Sequence, residues 1–198
     1  MKLIYSPTSP FVRKVSAMAI EAGVEGRIER VTLKPGDAEL AAINPLGKVP
    51  ALVRDDGTAL AGSSVICEYL DSLSQGARLF PAEGEARWRA LGRLAIADGI
   101  MEAAVLRVQE GWRDEGERSP GWVEKQTLKI ADALDHFEAD TPPPGDPLTI
   151  DTLTLGCAVG YVDLRSPDEG WRASRPKLAA WYEAFAERPS MAATRPPT

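Results

Sequence analysis

The stretch Lys2-Leu-Ile-Tyr-Ser6-Pro-Thr-Ser-Pro10-Phe-Val-Arg-Lys14 decides the fold. Lys2–Tyr5 is a short β-like run, and the turn-rich Ser6-Pro-Thr-Ser9-Pro10 stops it. Ser9 suits a helix N-cap. Pro10 suits the first helical position, where its missing N–H has no partner to lose and its φ is already helical. Phe11, Val15, Met18 and Ala22 then recur at helical spacing, with Arg13, Lys14 and Glu21 on the other side. Gly23 closes the helix as a C-cap residue. Arg27 to Leu33 follows with a partial polar–apolar alternation and reads as a second strand, completing a β-α-β unit.

Working outward, Lys34-Pro-Gly-Asp37 reads as a turn, followed by a short helix ending near Ile43. Val49-Pro-Ala-Leu-Val53 is a strand that begins at a proline. Asp55-Asp-Gly57 is a strong turn signal and Thr58-Ala-Leu60 a short return strand, so the pair predicts a hairpin. A helix from Ser63 places Ile66, Tyr69, Leu70 and Leu73 on one face. Gln75 to Pro81 reads as a linker, and beyond it the pattern changes to helices with no credible strand. Helices are expected from Glu85 to about Trp112, from Trp122 to Ala139, from Leu153 to Leu164 and from Pro176 to Glu187. In the second of these Leu128, Ala131, Leu134 and Phe137 form the expected buried stripe. Thr141-Pro-Pro-Pro-Gly-Asp-Pro147 is a rigid loop. The element order βαβ-ββα followed by helices predicts an α/β domain over residues 1–75, a linker over 76–82 and an all-α helical bundle over 83–198.

Bulk properties narrow the function. Apolar residues make up 44% and charged residues 26% of 198, ordinary for a globular chain. The formal net charge of -6, with no offsetting Lys/Arg cluster, argues against a nucleic-acid partner. Apolar runs such as Ala95–Ala97 and Ala103–Leu106 are far too short to cross a membrane. The N-terminal residues lack the apolar core of a signal peptide, and two distant cysteines, Cys67 and Cys157, make a disulfide framework improbable. A cytoplasmic location is the expectation.

Three motifs stand in order and at related separations: Tyr5-Ser-Pro-Thr-Ser9-Pro-Phe-Val-Arg13-Lys, Asn44-Pro-Leu-Gly-Lys-Val-Pro50-Ala-Leu and Gly62-Ser-Ser-Val-Ile66-Cys-Glu-Tyr-Leu70. Together with Arg175-Pro-Lys-Leu-Ala-Ala-Trp181-Tyr and Arg188-Pro-Ser190 near the end, the chain resembles the cytosolic glutathione transferase family, its bacterial, serine-type members in particular. The resemblance runs nearly end to end. It implies a thioredoxin-like N-terminal domain, a helical C-terminal domain, glutathione as co-substrate and a homodimer. The β-α-β unit, proline-initiated hairpin and closing helix independently meet what a thioredoxin-like domain requires.

The chemistry follows from the thiol. The thiolate of glutathione, not the thiol, is the nucleophile, so a hydroxyl donor and a helix N-terminus beside the sulfur favour reaction. The resemblance assigns that hydroxyl to Ser9; the bland alternative is a plain helix cap. Ser6 and Thr8 are nearby substitutes, and Tyr5 reads as a strand-end residue. No cysteine stands in this turn, which argues against the thiol–disulfide exchange of glutaredoxin-like or omega-like proteins.

The resemblance also makes Pro50 a cis-proline that turns the Val49 backbone toward a peptide ligand, against the general rarity of cis X–Pro bonds. Ser63, and Ser64 with it, would bind the γ-glutamyl carboxylate at a helix N-terminus. Lys48, and more weakly Lys34, would meet the glycyl carboxylate. Gly62 departs from the family, which usually carries an acid there. Asp98, in an apolar mid-helix setting, either reaches a glutathione amine or pairs with Arg93 or Arg107. Phe11, Leu106, Trp112 and Arg113 are candidates for the electrophile pocket, although helix packing is the commoner role for Trp112.

Thr149-Ile-Asp-Thr152 reads as a helix cap with Thr152 in place of the family's Asp. Trp122, Trp171 and Trp181 read as partly core, and His136 carries no catalytic or metal signal. No metal-ligand cluster is read, and no metal is expected.

Two functional classes follow: a transferase that sends the glutathione sulfur to a hydrophobic electrophile, or a noncatalytic binding or regulatory module on the same fold. A glutathione-dependent isomerase of the zeta type ranks third, because its serine–cysteine turn is absent.

Overall fold

Strand β1 (Lys2–Tyr5) is central in a four-stranded sheet of order β2-β1-β3-β4, with β2 at Glu29–Thr32, β3 at Ala51–Val53 and β4 at Ala59–Ala61. β1 pairs in parallel with β2 (Lys2 opposite Glu29, Tyr5 opposite Thr32) and antiparallel with β3 (Ile4 opposite Ala51). β3 and β4 form the antiparallel hairpin, with Ala51 opposite Ala61. The computed structural model describes residues 1–33, 36–76, 78–143 and 147–197. Lys34, the start of its expected turn, residue 77 of the expected linker and the centre of the proline-rich loop, 144–146, lie outside the described residues.

β1 is as the sequence reads, β4 is shifted by one residue, and β2 and β3 are shorter than expected. β2 begins at Glu29 because Glu25–Arg27 closes as a 3₁₀ turn, and its burial is slight, as befits an edge strand. β3 begins after Pro50, since the Val49–Pro50 peptide is cis. Because side chains alternate along a strand, Ile4 and Ala51 face one side of the sheet. There they pack with Leu40 of helix α2 (Ala38–Ile43) and with Val31, Ile43 and Val49. Leu3 and Leu52, also buried, point the other way, where helix α3 (Ser63–Ser72) packs on β3 and β4 and helix α1 (Pro10–Glu21) packs on α3.

Both ends of α1 follow the sequence. The Ser9 hydroxyl accepts from the Val12 N–H at 3.3 Å. At the far end Gly23 takes φ +70°, and the Val24 N–H reaches Ala19 C=O while the Gly23 N–H reaches Ile20 C=O. This is the Schellman closure that a glycine permits. The expected polar face of α1 is corrected, however. Lys14 is 0% and Arg13 only 8% exposed. Helix α9 (Pro189–Ala193) packs on α1, Arg13 Nη2 donates to Met191 C=O at 3.2 Å, and Lys14 Nζ donates to Ser64 Oγ at 3.1 Å. A helix enclosed on several sides buries its charges and satisfies them locally.

The chain divides into two compact units, Met1–Ala82 joined by the tail from Pro189, and Glu83–Arg188. The tail thus belongs with the α/β unit, not with the helical domain to which residues 83–198 were assigned by sequence.

In the second unit, α4 (Gly84–Glu110) packs on α5 (Pro120–Ala139) and on α6 (Ile150–Arg165); α7 (Trp171–Ser174) and α8 (Pro176–Ala186) follow. α5 begins earlier than expected because Ser119-Pro120 repeats the Ser9-Pro10 device, with Ser119 Oγ accepting from Trp122 N–H at 3.3 Å. Its buried stripe is Gln126, Ile130, Leu134 and Phe137. Leu128 lies off that stripe and is 57% exposed, correcting the sequence reading. α6 carries a capping box in which Thr152 Oγ1 accepts from the Thr149 N–H at 3.1 Å, so threonine performs the reciprocal bond at the third position. Trp171 and Trp181 are buried, whereas Trp112 and Trp122 are exposed.

Arg93 on α4 is the polar node of this unit. Its Nε donates to the buried Asp151 of α6 at 3.0 Å, its Nη1 meets Asp140, and its guanidinium lies over the Phe137 ring at 4.9 Å. Breaking a buried pair strands a charge and costs about 3–5 kcal/mol, whereas an exposed pair contributes about 0–1 kcal/mol. Arg93→Met is therefore expected to lose several kcal/mol in urea unfolding. Arg89→Met, which removes only the exposed 3.3 Å contact to Asp140, is expected to change little.

Candidate active site

The sheet register gathers three sequence motifs at one end. β1 runs up to Tyr5, antiparallel β3 starts just after Pro50, and β4 runs up to Ala61 beside Ala51. The ends that follow or precede these strands therefore converge: Ser9 at the start of α1, Val49–Pro50 before β3, and Ser63 at the start of α3. The Lys14–Ser64 hydrogen bond ties α1 to the first turn of α3 at this end.

Ser9 is half-buried and its N–H donates to Ser6 C=O at 3.2 Å, folding the turn. Its cap bond uses an oxygen lone pair and not the hydroxyl proton. A hydroxyl carries one donor and two acceptor sites, so capping and donation to an anion are compatible. The bland reading and the chemical one are thus not exclusive. Thr8 is exposed and Ser6 half-buried, while Tyr5 stacks under Arg30 at 5.5 Å.

Val49 is half-buried and Pro50 buried, with a cis bond between them. The loop that delivers them is organised by Asn44, a buried residue to which the sequence reading gave no role. Its Oδ1 accepts from the Leu46 N–H at 3.1 Å and its Nδ2 donates to Lys48 C=O at 2.7 Å, while Gly47 takes φ +59°. The signal was present in Asn44-Pro-Leu-Gly47, an Asx-turn composition with a glycine at the left-handed position. Lys48 itself is exposed.

Ser63 is buried, in the first turn of α3, and Ser64 is half-buried beneath Lys14. The residue before them, Gly62, has φ +88° and ψ 120°, with its C=O accepting from Ile66 N–H at 3.0 Å. An L side chain is strained there, so glycine relaxes the backbone. The N–H groups of the first α3 turn and the positive end of its dipole make this a place for a carboxylate.

The remaining candidates lie in the helical unit or at its ends. Asp98 is half-buried in α4; of the two arginines considered as its partners, Arg93 pairs with Asp151 and Asp140, and Arg107 with Glu169. The Arg107 hydrogen bond (Nη1 to Oε2, 3.1 Å) holds the Glu169 carboxyl below the ordinary carboxylate range. Of the four electrophile-pocket residues, Phe11 is half-buried on α1; Leu106, Trp112 and Arg113 lie at the end of α4 and beyond, with Trp112 76% exposed rather than packed. A groove of about 770 Å³ in this unit is lined by Arg107, Glu110, Arg118, Val123, Thr127 and Leu128, and by none of those four. Cys67 and Cys157 are buried and His136 is exposed. Among the described residues no group of acidic, His and Cys side chains is placed to hold a metal. Nor, among the described residues, is any helix long and apolar enough to cross a membrane.

Comparison with known proteins agrees in extent. Residues 8–73 match the family model of the glutathione S-transferase N-terminal domain, and residues 120–184 that of the C-terminal domain. The chain is 35% identical over 200 residues to the uncharacterized GST-like protein YibF of Escherichia coli K12, covering 100% of this chain and 99% of that one. It is 30% identical over 210 residues to glutathione S-transferase 3 of Zea mays, covering 98% and 92%. A glutathione transferase family member from Pseudomonas fluorescens Pf-5, solved with bound glutathione, superposes with a TM-score of 0.95 at 42% identity, covering 100% and 99% of the two chains.

The Gly62 geometry is testable without ligand. Gly62→Ala is expected to destabilise the protein by about 1–2 kcal/mol, the cost of a left-handed L residue. The nearest atom to an added Cβ, Val65 Cγ2 at 3.9 Å, leaves room, so the loss comes from the backbone alone. Gly26→Ala, where φ is not positive and nothing stands nearby, is the control and is expected to leave the thermal midpoint in place.

Proposed function

Because this chain belongs to the glutathione S-transferase family, we propose that it binds glutathione at the end of the sheet where Ser9, Val49–Pro50 and Ser63 converge, and that it transfers the sulfur to a small hydrophobic electrophile. The observation that carries this reading is the Ser9 hydroxyl, which caps α1 through a lone pair and keeps its proton for a sulfur anion. The glutathione-bound relative at 42% identity over the whole chain supports the same ligand.

The reaction divides into simple parts. The glutathione thiol releases its proton to solvent, and the Ser9 O–H together with the N-terminal end of α1 stabilises the thiolate. The Val49 backbone pairs with the peptide, and Ser63, Ser64 and the first-turn N–H groups of α3 take the γ-glutamyl carboxylate. Lys48 meets the glycyl carboxylate, and Asp98 an amine. The thiolate then forms a C–S bond to the electrophile, whose electron pair leaves with the departing group or moves within the acceptor. We assign the electrophile to apolar side chains around Phe11, Leu106 and Trp112, with Arg113 at the margin. A homodimer in the cytoplasm, acting in detoxification, completes the reading.

The second reading, a noncatalytic binding or regulatory module, is favoured by Gly62 alone, since the side-chain carboxylate usual there is missing. The two separate on measurement. Glutathione at one hundred times its Kd stabilises a specific binder by about 2.7 kcal/mol, so a thermal shift reports binding in either case. Conjugation of a reactive aryl halide then reports catalysis.

Ser9→Ala loses both cap and hydroxyl, costing about 1 kcal/mol of stability. Ser9→Gly loses the hydroxyl while costing the cap only a few tenths. Both are expected to lower kcat by about 10²–10³-fold, the usual consequence of removing one donor from a developing or resident anion, with little change in the thermal shift. Wild-type turnover in Ser9→Gly would remove Ser9 from the chemistry, and a glutathione shift without turnover in the wild type would select the noncatalytic module.

A further inference from the structure

On the other side of β1 lies a second polar cavity. β2 and β3 flank β1 on opposite sides, so the cis-proline and α3 stand to one side of the strand while Arg30 of β2 stands to the other. Between the end of β1, the middle of α1, β2 and the chain's tail is a cavity of about 40 Å³, lined by Ser6, Arg13, Ser16, Arg30, Thr194 and Arg195 among others. All of these residues belong to the α/β unit and its returning tail. Among the described residues no carboxylate lines it.

Two of the lining residues each carry a buried donor atom without a partner among the described residues. Ser16 Oγ and Arg13 Nε have no hydrogen bond among the described residues, although the residues are only 4% and 8% exposed. One helical turn apart, they belong to two of the residues that line the cavity. Leaving a buried donor unpaired is costly, the more so for a charged one, so two together call for an occupant.

The other Arg13 donors are partly used, Nη2 on Met191 C=O at 3.2 Å. Arg30 is held by Glu25 at 2.9 Å over the Tyr5 ring, and the Arg195 side chain makes no hydrogen bond or ion pair among the described residues. Three guanidinium groups thus surround one small space in a chain whose net charge is -6.

We propose that this cavity is a binding site for a small inorganic oxyanion of phosphate or sulfate type. Its volume of about 40 Å³ is several times the ~10–15 Å³ that one water needs, and so matches an ion of a few oxygen atoms. Planar guanidinium groups and a hydroxyl are the donors that such an ion takes, and an anion bridging Arg13 of α1, Arg30 of β2 and Arg195 of the tail joins three parts of the unit. The site stands apart from the proposed glutathione site and does not depend on that reading.

Titration calorimetry of inorganic phosphate into the full-length protein tests it, with sulfate as a second arm. The expected result is one saturable site per chain, weakened about tenfold or more by Arg195→Gln and by Ser16→Ala, since hydrogen bonds to charged groups are worth about 1.5–3 kcal/mol. Ser16→Ala removes an unpaired buried hydroxyl, so its unfolding midpoint without phosphate is expected to equal or exceed that of the wild type, while its stabilisation by phosphate falls. Saturating S-methylglutathione is expected to leave phosphate binding intact.

Absence of saturable binding at millimolar phosphate would overturn the proposal and leave the cavity to water. So would unchanged affinity in both variants, which would place the ion elsewhere on the surface. Displacement of phosphate by S-methylglutathione would assign the anion to the glutathione site on the other side of β1 and would also overturn it.

Discussion

Enclosure of α1 is the constraint on which the α/β unit depends. The helix packs on α3 along one side and on α9 along another, and its turns carry Val12, Val15, Met18 and Ala19 into the core together with two cations. A helix so held cannot slide or rotate without unpairing Lys14 from Ser64 and Arg13 from Met191, so its first residue is fixed in space. Ser9 inherits that precision. The role proposed for its hydroxyl, donation to a sulfur anion, needs a rigid support, and this packing supplies one.

The same logic organises the three motif segments. None of them would form a site by itself: a turn, a proline before a strand and a glycine before a helix are ordinary local structures. The mixed sheet makes them one place, because antiparallel pairing of β3 with both β1 and β4 returns each segment to the same end. Asn44 then sets the loop that carries Lys48 and Val49, working through backbone groups on both sides. In the helical unit an equivalent role falls to Arg93, which gathers α4, α6 and the end of α5 around one guanidinium.

Local signals were legible in the sequence and long-range burial was not. Ser9-Pro10 marked a helix start, Gly23 its end and Asp55-Asp-Gly57 the hairpin, because caps and turns are decided by a few neighbouring residues. The second Ser-Pro pair, Ser119-Pro120, carried the same information and was passed over for Trp122. Arg13 and Lys14 were misplaced on a solvent face because their covers are α9 and the start of α3, distant in sequence, and periodicity carries no trace of either. Leu128 was misplaced for a related reason. A stripe drawn through Leu128, Ala131 and Leu134 fits helical spacing as well as the true one through Gln126, Ile130 and Leu134, and hydrophobicity favoured the leucine over the glutamine. Of the candidate site, the participating segments could be named from motifs, whereas Asn44 and the conformation of Gly62 required coordinates.

The tail that returns to α1 also bears on biosynthesis. Met191 and Ser190 are almost fully buried in a unit whose strands, α1 and α3 precede the helical unit in the chain. A ribosome delivers those elements before the helical unit, but the cover over Arg13 emerges only after it. The contiguous helical unit has all its residues available sooner, so of the two units the one begun earlier is the one completed later.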